Sequence, residues 1–174
     1  FRMSATMDCY LKGLQDPRLS SYFKVAKKDG AYHGVRNGQT SRSQGTLSEA
    51  ASSMNVGQAS SILWMDAAET YFLLAEAKLR LNLGDKTVKE YYEEGVKTSF
   101  SSKGASGAES YLDNDVNVPS TSFIDPTNGR NTDVSRMVST LTVKWDESAS
   151  PDKKLERIMV QKWIALFPDG QEAW

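Results

Sequence analysis

The chain has 174 residues, with 21 Lys+Arg against 22 Asp+Glu and a formal charge of -1, a balance that gives no bulk electrostatic case for nucleic acid or an anionic membrane surface. At roughly 150 residues per domain the length suggests one domain, and a chain of this size buries about 70% of its unfolded surface without help from metal or disulfides. A single cysteine and a single histidine exclude an internal disulfide and a multi-His zinc site, and no apolar run approaches the ~18 residues of a membrane span.

Residues 4–14 carry Met7, Tyr10, Leu11 and Leu14 at helical spacing, closed near Gly13. Asp16-Pro17 follows as a cap and first-turn proline, so Pro17-Arg18-Leu19 is expected to open a short helical turn. Ser21–Ala26 reads as a short strand. Gly30, Gly34 and Asn37-Gly38 mark turns, and residues 39–61, rich in Ser, Thr, Gly and Ala, read as an irregular loop of the kind that is functional or mobile.

The strongest order begins at Ile62. Asp66 and Glu69 have capping-box spacing, strong helix formers run to Asn82, and Gly84 is the expected left-handed stop. Ala68, Tyr71, Phe72, Leu74, Ala75 and Leu79 make this helix apolar around most of its circumference, which calls for several packing neighbours. Thr87 and Glu90 form a second capping box, followed by Val88, Tyr91, Tyr92, Gly95, Val96 and Ser99 on one face. Gly95 weakens the helix by about 1 kcal/mol relative to Ala, which points to close approach of its partner. The short connection makes residues 62–103 an antiparallel helical hairpin. Ser106 and Glu109 then cap a short helix, residues 116–136 are turn-rich, Ser139–Lys144 reads as a short strand, and Ser150-Pro151 opens a final helix over 150–167. The fold class is mainly α, with a tetratricopeptide-like hairpin, long irregular loops and a few short strands.

Chemistry is sparse. His33 sits in a glycine-rich loop and Cys9 within an amphipathic helix, where a cysteine serves as a small hydrophobe. Gly30, Gly34 and Gly38 fit neither G-x-G-x-x-G nor a phosphate loop. Asp113, Asp115 and Asn117 begin like a calcium loop, but Val118-Pro119 stand where glycine belongs and Ile124 replaces the bidentate Glu. No carboxylate pair is marked for glycoside hydrolysis. Tyr32, His33, Arg36 and Asn37 combine ring faces with hydrogen-bonding groups in one loop, the types that hold a sugar; the same composition also fits a polar surface turn.

The hairpin occurs once, with no tandem copy at a 34-residue period. A narrower pattern spans nearly the whole chain: Asp16-Pro17-Arg18-Leu19, Trp64-Met65-Asp66-Ala67-Ala68-Glu69-Thr70-Tyr71-Phe72 with Ala75-Glu76-Ala77, and Tyr92-Glu93-Glu94-Gly95-Val96. Lys144-Trp145-Asp146-Glu147, Gln161–Phe167 and Gly170-Gln171-Glu172-Ala173-Trp174 complete it. In this order the motifs resemble the SusD/RagB family, whose members are outer-membrane lipoproteins of Bacteroidetes-type bacteria. The resemblance implies non-catalytic capture of a glycan or peptide nutrient on the outer face of the cell, beneath which a TonB-dependent (SusC-like) transporter is the partner. It implies no cofactor and no nucleic acid. With Phe1 no initiator and an apolar end at Trp174, residues 1–174 are expected to be one fragment of a larger domain, with the lipid anchor outside it. An alternative from another class is a tetratricopeptide-like adaptor that binds a protein; a glycosidase-like enzyme is a weaker third.

Overall fold

The best helix-forming stretch, Ala67–Leu81, is helical throughout (α4) in the computed structural model, which describes residues 1–38, 43–60, 63 and 65–169. Ile62, Trp64, part of the loop at 39–61 and the terminal motif from Gly170 onward thus lie outside the described residues. The other helices are α1 (Ala5–Gly13), α2 (Leu19–Tyr22), α3 (Gln44–Ala50), α5 (Val88–Ser102), α6 (Ala108–Leu112) and α7 (Pro151–Ala165). Two short strands, β1 (Ser122–Ile124) and β2 (Asn131–Asp133), pair antiparallel with Phe123 opposite Thr132. The chain is mainly helical and divides into two compact units. One comprises Phe1–Ser60 with Asn117–Thr140, the other Ser61–Val116 with Leu141–Trp174.

The second unit is built on the α4–α5 hairpin. Asp66 caps α4 by accepting the Ala68 N–H at 3.0 Å. Glu69, expected to reach back in a capping box, instead faces Lys162 Nζ at 3.9 Å. The helix ends on Asn82 at φ 55°, ahead of the expected Gly84; asparagine is among the few non-glycine residues that take this conformation readily. Thr87 and Glu90 form the complete capping box of α5. A Cβ on Gly95 would stand 2.9 Å from the Phe72 ring, so the glycine is what lets the two helices close. α7, capped by Ser150 with Pro151 in its first turn, packs on both. The core joins Phe72, Tyr92, Val96, Ile158 and Ile164, and the Tyr92 hydroxyl donates to the Val143 carbonyl at 2.7 Å. Leu73 and Leu81 of α4 are exposed among the described residues.

Three local expectations fail for identifiable reasons. Residues 139–144 are not a strand, because side chains take up their main-chain groups: Ser139 N–H donates to Tyr10 Oη, and the Thr142 carbonyl accepts from Arg157 Nε. Ser21–Ala26 begins inside α2 and reduces to a single bridge between Phe23 and Met54. The short helix α6 starts on Gly107 at φ 87°, without the side-chain cap expected from Ser106. Conversely, α3 lies within the stretch read as a loop, capped by Ser43, and the strands β1 and β2 flank the Asp125–Gly129 turn. At three residues each, with a polar β2, they are too short to show alternation.

In the first unit, long-range main-chain bridges do much of the work that helices do in the other. Met3 N–H donates to Ser52 O, Val35 N–H to Met3 O and Ala5 N–H to Val35 O, at 2.8–2.9 Å. Beneath them Asp16 and Arg18 form a fully buried bidentate pair, with Nη2···Oδ2 at 2.6 Å and Nε···Oδ1 at 2.9 Å.

Candidate functional site

The first unit contains a recess of about 220 Å³ where three segments distant in sequence converge. Ser4, Ala5 and Thr6 at the start of α1 form one side, Arg36 and Asn37 another. Phe123 and Thr132 of the strand pair, with Val134 and Met137 beyond it, supply the rest.

Local chemistry explains why the loop tip arrives there. Asp8, almost fully buried on α1, accepts the Gly34 N–H at 2.8 Å and pairs with Lys12 Nζ at 2.8 Å. Lys12 Nζ in turn donates to the Tyr32 carbonyl at 3.1 Å. Gly34 lies so close to α1 that a Cβ would stand 2.5 Å from Ser4 O and 2.8 Å from Asp8 Cβ, a clash that no side chain tolerates. On the other side His33 N–H donates to Ser52 Oγ at 3.0 Å, while Ser52 N–H donates to the His33 carbonyl at 2.9 Å. The segment 32–35 is therefore clamped between α1 and Ser52, and its continuation Arg36–Asn37 is carried to the mouth of the recess.

The four loop residues singled out from sequence are separated by this geometry. Arg36 and Asn37 are exposed and line the recess; Tyr32 and His33 do not. The His33 ring instead meets Asp29, Nε2···Oδ2 2.8 Å. The Ala31 N–H and then the His33 ring hold the Asp29 carboxyl below its ordinary range. Phe123, Thr132 and Met137 carried no signal in the sequence, because only the fold brings them beside α1. Cys9 also borders the recess, yet burial, with the Asp8 charge adding to it, pushes its thiol up to about 11. At neutral pH it is a protonated, weakly reactive group.

Chemically the recess offers the Arg36 guanidinium, the Asn37 amide, the Thr6 and Thr132 hydroxyls, and an apolar wall of Phe123, Val134 and Met137. That is a mixed polar and apolar surface suited to holding a hydroxylated ligand. Elsewhere, Asp115 of the calcium-like run pairs with Lys144 at 3.2 Å, and no cluster of metal-ligating side chains occurs among the described residues. No described helix is long and apolar enough to cross a membrane.

The SusD-like family model, described as Susd and RagB outer membrane lipoprotein, matches residues 1–174. A chitin-binding SusD homologue from Flavobacterium johnsoniae is 40% identical, with a TM-score of 0.86 over 99% of this chain and 36% of that one. A SusD homologue from Bacteroides thetaiotaomicron is 39% identical, with a TM-score of 0.87 and the same coverage of 99% and 36%. One from Bacteroides uniformis is 38% identical, with a TM-score of 0.85 over 98% of this chain and 35% of that one. The chain thus spans about 36% of the length of the first two of these solved relatives. No curated protein matches it. With motifs, helical architecture and whole-chain similarity in agreement, the chain belongs to the SusD-like family of outer membrane lipoproteins.

Proposed function

We propose that this chain is part of a protein that captures a glycan on the external face of the outer membrane, without chemically altering it, and passes it to a TonB-dependent transporter. The observation that carries the reading is the recess of the first unit, where Arg36 and Asn37 meet hydroxyl groups and an apolar wall. A relative 40% identical to this chain binds chitin, which makes a polysaccharide the favoured nutrient over a peptide. In this reading Arg36 and Asn37 touch the ligand. Tyr32 and His33 hold the loop that presents them, through Lys12, Ser52 and Asp29.

Calorimetry of the intact protein against chitin oligosaccharides, neutral and acidic glycans and peptides tests this. Saturable glycan binding, weakened about tenfold or more when Arg36→Ala or Asn37→Ala removes a hydrogen-bonding group, is the expected result. Silence toward every glycan overturns it, as does turnover of a chromogenic sugar. Co-purification with a transporter tests the partner.

The adaptor alternative has one observation in its favour, the exposed Leu73 and Leu81 on α4. It requires that Leu73→Glu abolish a protein interaction while glycan binding is absent from the start.

A further inference from the structure

Of the described side chains that line the recess, only Arg36 is charged. Arg36 is exposed and makes no ion pair among the described residues, although the segments that form and adjoin the recess carry acids. Each of those acids is otherwise engaged or directed elsewhere. Asp8 is held by Lys12 and the Gly34 N–H. Asp29 is on the His33 ring. Asp133 flanks Thr132 in β2, but alternation along a strand sends it to the opposite face, where it accepts the Ser135 N–H at 2.9 Å. The start of α1 reinforces the sign of the field without supplying free donors: Ser4 Oγ already caps Met7 N–H, and Ala5 N–H is used on Val35 O. A guanidinium beside hydroxyl and amide groups and an apolar wall, paired with no carboxylate among the described residues, is arranged for an anionic sugar.

Resting on the capture reading above, we propose that the recess selects carboxylate-bearing glycans, and that Arg36 is the specificity determinant through a paired, charge-assisted contact to the sugar carboxylate. A guanidinium fork matches a carboxylate in two parallel hydrogen bonds, which an ammonium cannot reproduce.

The test uses the intact protein with two probes of equal length, tetragalacturonate and its fully methyl-esterified form, in calorimetric titrations at low and at physiological salt. The acid should bind about tenfold or more tightly than the ester, as hydrogen bonds to a charged group imply, and the advantage should shrink as salt screens an exposed charge. Arg36→Gln should abolish the preference, bringing the affinity for the acid down to that for the ester measured on the same variant, and Arg36→Lys should restore only part of it. Equal affinity for acid and ester, or a preference that survives in Arg36→Gln, overturns the inference and leaves glycan capture standing. Absence of binding to every glycan, neutral ones included, overturns the capture reading and this inference together. Tighter binding of an acidic peptide than of the acidic glycan overturns the assignment to sugars.

Discussion

The ring of Phe72 in α4 occupies the space that a side chain on Gly95 of α5 would need, with ring carbons 2.9 Å from the missing Cβ. The ring is fully buried and meets Tyr92 edge-on at 6.4 Å between centroids, so it has no direction in which to yield. Gly95→Ala gains about 1 kcal/mol of helix propensity and loses about 1–3 kcal/mol to overpacking. A net destabilisation is expected, read as a lower urea midpoint with an unchanged m-value. A rise in the midpoint would show that the helices can separate at no cost. Combining Gly95→Ala with Phe72→Leu should recover part of the loss.

The Asp16–Arg18 pair has both side chains at 0% exposure. Taking away one member of such a pair leaves a buried charge, which costs about 3–5 kcal/mol. Arg18→Met should therefore be far more damaging than any surface substitution, in equilibrium denaturation followed by circular dichroism. A change below about 1 kcal/mol would mean that water reaches the site in the variant.

The capping box at the start of α5 predicts an acid dependence. Glu90 accepts from the Thr87 N–H at 2.7 Å and from its hydroxyl at 2.8 Å, and these bonds lower its carboxyl from the ordinary 4.5. A carboxyl depressed in the folded state stabilises above its unfolded value, and that contribution is lost as pH falls through the folded value. Asp85, lowered first by the Tyr91 hydroxyl, acts in the same direction from 3.8. Tm should hold from pH 7 to about pH 5 and drop below about pH 4.5. Glu90→Gln, which keeps an acceptor but cannot titrate, should flatten part of the drop. Thr87→Ala should cost about 1 kcal/mol at neutral pH. An unaltered acid profile in Glu90→Gln would remove the box from the account.

The thiol of Cys9, pushed up to about 11 by burial, should resist alkylation. Iodoacetamide at pH 8 should modify the folded protein much more slowly than the urea-unfolded chain, by mass spectrometry. Equal rates would mean that α1 opens readily.

How legible each unit is in the sequence follows from the range of its interactions. α4, α5 and α7 are written locally: Asp66, Thr87 and Ser150 cap them, and Phe72, Tyr92, Val96 and Ile158 repeat at helical spacing along them. The hairpin therefore reads directly, down to the tight contact at Gly95. The first unit is different. Its Ser139 looks like the start of a strand until Tyr10 Oη claims the N–H, and the α3 helix hides in a Ser/Gly-rich stretch because a seven-residue helix shows barely two turns of pattern. For the recess, the loop composition singles out Tyr32, His33, Arg36 and Asn37 alike, of which Arg36 and Asn37 line it and Tyr32 and His33 do not, and nothing in Phe123 or Thr132 signals that they will stand beside α1. The Asp16–Arg18 pair was visible only as a turn, because burial is a property of the surroundings.

The three walls of the recess come from residues 4–9, 36–37 and 123–138, joined by chain closures that span most of the unit. Contacts of such long sequence separation cost more loop-closure entropy than the contacts within a helix. No short fragment of the unit therefore contains the whole pocket. A cargo molecule bound there would touch all three segments and favour the folded form over the unfolded one, so the melting temperature should rise with cargo concentration.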